Sequence, residues 1–274
     1  MYNKDKIIDT MKAIKTESDV IKPYVCICQP RRDLNEIPAQ RLDGYECLHI
    51  DLLGYSHGFC HIGGEKVDVA RNYLFDRALD SGAKYMLFVG EDTVLPWNGF
   101  LTLHETAKNN PDSMIIGVYY IKCSSAMVMV KEGDYIYPAN VDPDQKPFEV
   151  WQAGLDCALI PIDIVRKIKE DDPEIPFTCI GNSSIPGLEN LPFIGEDNFW
   201  YFRMRKCGFK IICDPKVQCL HMDLASGKYT AHPSITKEKI EQEYYTNIPI
   251  TVPLTMKDKA EIDKRWISRL PKSN

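Results

Sequence analysis

The sequence predicts an α/β domain in which strands alternate with helices and acidic pairs stand at the ends or starts of elements. The chain has 274 residues, of which 44% are hydrophobic and 26% are charged. These are the proportions of an ordinary globular protein, and they exclude disordered, collagen-like and coiled-coil chains. The length suffices for one large α/β domain or two small ones, with a single domain as the default.

The first third of the chain contains two strand-like runs and a helix. Residues 24–30 form a β-rich apolar run that ends at a proline, and a second such run covers residues 45–51. The segment 54–66 is rich in glycine and histidine, which predicts a mobile loop. A helix with apolar residues at helical spacing follows, with Asp68 as its candidate cap and Gly82 as its candidate end.

An acidic turn follows the next strand. The apolar run 84–90 stops abruptly at Glu91 and Asp92, and a loop and a helix come after it. Ligands of open α/β sheets bind at the carboxyl ends of the strands, so these carboxylates are candidate site residues. Residues 113–121 and 126–130 are predicted strands, and the polar stretch beyond them predicts an excursion that contains a hairpin.

The second half of the chain brings the remaining candidates. A helix is predicted at 163–170, and a loop rich in proline, asparagine and glycine covers 171–195, longer than packing alone favours. Glu196 and Asp197 open the next helix, and two short strands after it finish at His221. Taken singly, acidic pairs at such places usually cap helices or stay solvated.

Charge and targeting features limit the compartment and the partners. The formal net charge of −6 lacks the basic footprint of a dedicated nucleic-acid binder. The N-terminal segment is charged and contains no secretory apolar stretch, and no run approaches the roughly 18 apolar residues of a membrane span. The ten cysteines are scattered and lack paired Cys-x-x-Cys motifs, which favours buried thiols over disulfides or zinc. We therefore expect a cytoplasmic protein without a transmembrane segment.

Two blocks of sequence carry a family resemblance. The first, residues 70–96, reads ARNYLFDRALDSGAKYMLFVGEDTVLP, and the second, residues 194–222, reads IGEDNFWYFRMRKCGFKIICDPKVQCLHM. They resemble the GT-A class of nucleotide-sugar-dependent glycosyltransferases, most closely its family 2-like members. The first matches the Arg-Asn helix, apolar strand and acidic DxD turn, and the second matches the ED, helix, aromatic-Gly, strand, Asp-Pro, strand, His arrangement. The blocks cover roughly a fifth of the chain.

This resemblance implies a GT-A fold with a mixed, mostly parallel central sheet flanked by helices. It would occupy residues 1–232, and residues 233–274 would form a C-terminal helical extension that packs on the same domain. One departure from the family pattern is Gly90, which stands where the DxD turn has its first aspartate.

The resemblance also assigns catalytic and metal-binding roles. Asp92 would hold a divalent ion on the donor diphosphate, and His221 would supply a second ligand, a mixed set that suits Mn²⁺ better than Mg²⁺. The ion would stabilise the charge that accumulates on the leaving nucleotide. Asp197 would be the general base of an inverting enzyme, and Glu196 would contact the acceptor or fix the turn.

Donor binding is assigned in the same way. In this class the base and ribose of the donor are contacted by residues at the positions of Gln29, Pro30, Arg31 and Asp51. Asp51 is suited to accept from a uracil N–H, which favours a UDP-sugar. Arg71 could approach the diphosphate, because a guanidinium matches phosphate oxygens, or it could form a surface salt bridge. With Gly90 at the first position of the turn, the resemblance assigns Glu91 to donor binding and leaves Asp92 as the metal ligand of the turn.

Several alternatives remain open. The segments at Gly195 and at Gly154, Leu155 and Asp156 resemble the acceptor-side loops of the class. Trp151 and Trp200 would be stacking platforms there, or they belong to the core. A non-catalytic nucleotide- or carbohydrate-binding module would explain Gly90, and a nucleotidyltransferase would share acidic metal ligands, although the first strand lacks a glycine-rich basic loop. The acceptor, a glycan, lipid, protein or modified DNA, stays undecided, as do the stereochemistry and the oligomeric state. The basic residues after position 256 would face an anionic acceptor or form a solvated helix face.

Overall fold

The computed structural model describes residues 22–31, 50, 54–96, 98–120, 126–179, 195–223, 228–232 and 235. Asp51 lies outside these residues, as do most of the predicted strand 45–51, residues 180–194 of the predicted long loop, and nearly all of the predicted extension 233–274. Thirteen strands and four helices lie entirely within the described residues. The strands are β1 (Val25–Arg31), β2 (His57–Gly63), β3 (Tyr85–Val89), β4 (Thr93–Val94), β5 (Ser113–Val118), β6 (Val128–Glu132), β7 (Tyr135–Pro138), β8 (Phe148–Glu149), β9 (Gln152–Ala153), β10 (Cys157–Pro161), β11 (Lys210–Gln218), β12 (Leu220–Asp223) and β13 (Lys228–Thr230), and the helices are α1 (Val67–Ser81), α2 (Gly99–Asn109), α3 (Ile162–Asp171) and α4 (Glu196–Lys206).

The central sheet has the strand order β2-β1-β3-β10-β5-β11-β8. Five of these strands run in one direction, while β10 and β8 run antiparallel to their neighbours. The predicted α/β class with a mixed, mostly parallel sheet is therefore confirmed, and it is the architecture that the resemblance to the GT-A class implies.

Helices cover both faces of this sheet. Apolar side chains of α1, α3 and α4 belong to one core cluster, which includes Phe75, Val165 and Trp200. The opposite cluster contains Phe100 and Leu103 of α2. Helix α1 ends where predicted, because Gly82 adopts the left-handed conformation with φ of 67°. No helix in the part of the chain described here combines the length and apolar character needed to cross a membrane.

Two smaller sheets extend the central one. The strand order β7-β6-β9 contains the predicted hairpin, which turns at Gly133 with φ of 57°. The strand order β13-β12-β4 joins the segment after the acidic turn to the segment that carries His221. The second small sheet therefore positions the site, because it fixes two distant parts of the chain side by side.

Three local predictions were wrong. The segment predicted to be a mobile loop contains β2, which pairs in parallel with β1 at the edge of the sheet. An edge strand needs a partner on one side only, so half-buried glycine and histidine are tolerated there. Ile50, the one described residue of the predicted strand 45–51, has a helical backbone. Asp68 does not cap α1, because Lys66 occupies the cap position and Asp68 lies in the first turn.

Candidate active site

The acidic turn forms at the carboxyl end of β3. The N–H of Thr93 donates to the carbonyl of Gly90 over 3.1 Å, and this turn carries Glu91 and Asp92. The two acidic residues are only 4% and 5% exposed. Strand β4 follows at once and pairs with β12, so that His221 lies opposite Thr93 in the register. Backbone pairing thus brings the predicted metal ligands Asp92 and His221 to one place.

Asp92 and His221 form a close pair. Their Oδ2 and Nε2 atoms are 3.6 Å apart, and both side chains are largely buried. A carboxylate oxygen and an imidazole nitrogen fit a first-row divalent ion such as Mn²⁺. Among the described residues no group of three or more His, Cys, Asp or Glu side chains is placed to hold a metal ion, so this pair would leave coordination positions open to other ligands, for instance a diphosphate.

A second cluster surrounds Arg71 of α1. Its Nη2 atom lies 3.0 Å from Oδ1 of Asp156, and its Nη1 atom lies 2.9 Å from Oε1 of Glu196 and also pairs with Oδ1 of Asp197. The Arg71 side chain is 4% exposed, which rules out the surface salt bridge that was its alternative interpretation. The guanidinium instead neutralises carboxylates from two other parts of the fold.

The charges in this cluster do not balance, since one guanidinium faces three carboxylates. Burial raises the pKa of Asp197 to about 7, and the charges of Asp156 and Glu196 raise it too, while Arg71 and the backbone at Leu155 oppose the rise. Burial works against the charge of Arg71, but the carboxylates outweigh it and raise its pKa above the ordinary value. We therefore expect both the protonated and the ionised form of Asp197 to be present near neutral pH.

Tyr119 connects the metal-ligand pair with the carboxylate cluster. Its ring is stacked on the imidazole of His221, and Asp156 and Asp197 are close enough to add to the rise in its pKa that burial causes. A Cβ atom at Gly154 would overlap the Tyr119 hydroxyl. Glycine at 154 thus permits this close approach.

Packing against Asp156 explains why glycine stands at position 90. Its N–H donates to the carbonyl of Asp156 over 3.0 Å, and a Cβ atom at position 90 would lie 2.9 Å from both Cβ and Cγ of Asp156. The Asp156 side chain already occupies that space. The resemblance places Asp156 in an acceptor-side loop but gives it no catalytic or binding role, although it is a lone carboxylate in the otherwise apolar segment AGLDCALIP.

The predicted donor residues Gln29 and Arg31 lie together at the carboxyl end of β1. The Nε atom of Arg31 donates to Oε1 of Gln29 over 2.7 Å, and both residues are buried. Burial lowers the pKa of Arg31, and the nearby charge of Glu91 opposes that effect. Pro30, between them, is half-buried. The structure therefore joins three of the predicted donor residues, namely Gln29, Arg31 and Glu91, in one group next to the acidic turn.

The two tryptophans differ. Trp200 is fully buried, with its ring centroid 4.3 Å from that of Phe75, so it belongs to the core and is not a stacking platform. Trp151 is half-buried, and the charged groups of Lys131 and Arg205 lie 4.4 and 3.9 Å from its ring centroid. The Trp151 ring therefore contacts two cationic side chains of the protein itself.

Comparison of the sequence with protein-family models and with curated proteins gives no match. Similar folds occur among solved structures. A197 from STIV is 16% identical with a TM-score of 0.49, over 76% of this chain and 93% of that one. GalNAc-T7, in a structure with UDP, GalNAc and Mn²⁺, is 10% identical with a TM-score of 0.44, over 92% of this chain and 57% of that one.

A further likeness is to 4-diphosphocytidyl-2C-methyl-D-erythritol synthase from Anaerococcus prevotii, 10% identical with a TM-score of 0.38, over 80% of this chain and 96% of that one. With TM-scores below 0.5, these likenesses carry no argument about chemistry.

Proposed function

We propose that the protein is a metal-dependent glycosyltransferase that moves a sugar from a nucleotide-sugar, expected to be a UDP-sugar, to an acceptor hydroxyl. One observation carries the proposal. The Asp92–His221 pair and the carboxylate cluster around Arg71 lie at the same edge of the sheet, on either side of Tyr119. An ion site next to a carboxylate whose pKa lies near neutrality would supply two groups that such a transfer uses, namely a positive charge for the leaving diphosphate and a base for the acceptor hydroxyl.

Asp92 and His221 would hold the ion, and the ion would supply positive charge to the diphosphate of the donor. The side chains of Gln29, Arg31 and Glu91 would bind the nucleoside part, with Pro30 shaping the strand end. Asp51 keeps its predicted role at the base and lies outside the described residues.

Asp197 would act as the general base. In an inverting transfer its carboxylate takes the proton of the acceptor hydroxyl while that oxygen bonds to the anomeric carbon of the sugar. The bond from that carbon to the diphosphate oxygen breaks at the same time, and the nucleoside diphosphate leaves with the electron pair. Glu196 would share Arg71 with Asp197 and face the acceptor. In a retaining transfer Asp197 would position substrate instead.

A non-catalytic binding module is the second candidate. Its main support in the sequence is Gly90, which removes a carboxylate from the acidic turn. That support weakens here, because the space at Gly90 is filled by Asp156. The absence of a side chain at position 90 is therefore as consistent with an active enzyme as with a binding module that has lost its catalytic site.

The test is a donor screen with purified protein and Mn²⁺. UDP-, GDP- and dTDP-sugars are offered singly, and release of nucleotide is measured with and without acceptors. We expect release from one donor, most readily a UDP-sugar, and its loss in Asp92→Asn but not in Asp163→Asn, an exposed aspartate on α3. No release from any donor, with UDP and Mn²⁺ also failing to raise the melting temperature, would contradict the proposal.

A further inference from the structure

Asp156 lies where a side chain of the acidic turn would otherwise project. Residues 89 and 157 are paired in the antiparallel register of β3 and β10, which places Gly90 and Asp156 next to each other beyond the ends of the two strands. The 2.9 Å separation from a Cβ atom at position 90 means that only glycine fits beside this carboxylate. A carboxylate thus still lies at this turn, but the residue just before β10 supplies it.

The Asp156 carboxylate has a partner that Asp197 also uses. Arg71 directs Nη2 to Asp156 and Nη1 to Asp197 and Glu196. Its Nε atom is buried and has no hydrogen-bond partner among the residues described. Three carboxylates therefore share the single positive charge of Arg71, with Asp156 on one side of the guanidinium and Asp197 and Glu196 on the other.

We propose that Asp156 is a positioning residue for Asp197: it holds one side of the Arg71 guanidinium and so prevents Arg71 from fully neutralising Asp197, which stays basic enough to take a proton from the acceptor. The inference rests on the proposed function of Asp197 as the base. The glycine at position 90 preserves this arrangement, because a side chain there would displace Asp156 and leave Arg71 to pair with Asp197 and Glu196.

Other groups also act on Asp197, and none of them replaces Asp156. Arg71 comes from α1, Asp156 from the turn before β10, Glu196 and Tyr201 from α4, and Tyr119 from the position just after β5, while the backbone at Leu155 provides a hydrogen bond. Of the two carboxylates, Glu196 shares Nη1 with Asp197, whereas Asp156 draws the guanidinium to its other side.

The first experiment follows the carboxyl carbon of Asp197 by ¹³C NMR during a pH titration. The variants are Asp156→Asn, which keeps the side-chain shape beside Gly90, and Asp163→Asn as the matched control. We expect the titration midpoint of Asp197 to move to lower pH in Asp156→Asn and to stay in place in Asp163→Asn. An unchanged or higher midpoint in Asp156→Asn overturns the proposal. If that variant does not fold, Asp156→Ser is titrated by the same criterion.

The second experiment measures kcat/KM at pH 6 and pH 8. If the base has a pKa near 7, kcat/KM of the wild type should be about tenfold higher at pH 8 than at pH 6. If the pKa of the base is one unit lower, kcat/KM should rise only about twofold between these pH values. We expect the smaller rise in Asp156→Asn, whereas a rise as large as that of the wild type contradicts the proposal. If the proposed function is wrong, the protein has no transferase rate to compare, but the NMR titration still tests whether Asp156 controls the pKa of Asp197. Failure of the proposed function can therefore be distinguished from failure of the role proposed for Asp156.

A variant that exchanges the two side chains tests the shared space. Gly90→Asp alone is expected to lower the melting temperature, because its Cβ atom meets Asp156. The double variant Gly90→Asp/Asp156→Gly should regain part of that loss. A double variant no more stable than Gly90→Asp would show that position 90 and Asp156 do not compete for one space.

Discussion

The Tyr119 ring lies stacked on the imidazole of His221, with ring centroids 5.6 Å apart and planes inclined by 14°. The hydroxyl of the same tyrosine lies against the backbone of Gly154, two residues before Asp156. One aromatic side chain therefore spans the distance from the proposed metal ligands to the carboxylate cluster. A change at Gly154 should disturb both groups.

Gly154→Ala is expected to destabilise the protein by about 1–3 kcal/mol, because the new methyl group overlaps Tyr119 in a packed interior. Urea unfolding measures the loss. Gly195→Ala is the control, since the nearest atom to a Cβ there is 3.9 Å away, and it should cost less than about 1 kcal/mol. Equal losses in the two variants would mean that the close approach of Tyr119 does not limit position 154.

The two arginines of α1 offer a matched comparison. Arg71→Met removes the counter-charge of three carboxylates and should cost about 3–5 kcal/mol, because breaking a buried ion pair leaves charges without compensation. Arg77 pairs with Asp80 at the surface, with its side chain 50% exposed, so Arg77→Met should cost less than about 1 kcal/mol. Urea unfolding at pH 7 checks both values. A loss in Arg71→Met as small as that in Arg77→Met would contradict the assigned burial of the cluster.

The pKa of Asp197 predicts an unusual dependence of stability on pH. The ordinary value is 3.8 and the folded value is about 7, so between these values the folded state binds more protons than the unfolded state. The stability contributed by this group is fully present below about pH 4 and is lost as the pH rises through 7. Asp197→Asn should therefore gain stability relative to the wild type when the pH rises from 5 to 8.

Unfolding free energies of both proteins at pH 5 and pH 8 check this sign. Asp163→Asn serves as the control, because its exposed carboxylate should add no comparable trend. A stability difference between Asp197→Asn and the wild type that is constant with pH would show that Asp197 titrates at its ordinary value.

Removal of the metal should abolish transfer. EDTA is expected to stop nucleotide release, and added Mn²⁺ should restore it. Asp92→Ala and His221→Ala should each weaken Mn²⁺ binding in the presence of UDP by at least about tenfold, since even outer-shell partners of metal sites contribute that much. Titration of free Mn²⁺ by electron paramagnetic resonance measures the affinity. Full activity in EDTA would exclude a role for the ion.

The elements that carry the site follow from local patterns. Strands β3 and β5 are continuous apolar runs, and α4 begins at Glu196, where Gly195 and an acidic pair mark a helix start. Such signals lie within a few consecutive residues. Strand β2 carries no such signal, because its glycine and histidine residues form a strand only through pairing with β1.

The pairing of Asp92 with His221 was anticipated from the resemblance, and the structure adds the backbone reason, the register of β4 against β12. The resemblance places Asp156 in an acceptor-side loop, but it indicates neither the contact of Asp156 with Gly90 nor its ion pair with Arg71, and it gives Tyr119 no role. These features depend on contacts between residues that are distant in the chain, and a sequence pattern does not encode which side chain fills a given space.

The sequence by itself determined the α/β class, the order of most strands and helices, and the residue types at the carboxyl edge of the sheet, because apolar periodicity and terminal signals act over short stretches. Only the tertiary structure decided that Arg71 is buried among three carboxylates and that Asp156 fills the space beside Gly90. The physical reason is that burial and charge sharing arise from the antiparallel pairing of β10 with β3 and from the packing of α1 and α4, which bring separate parts of the chain within contact distance.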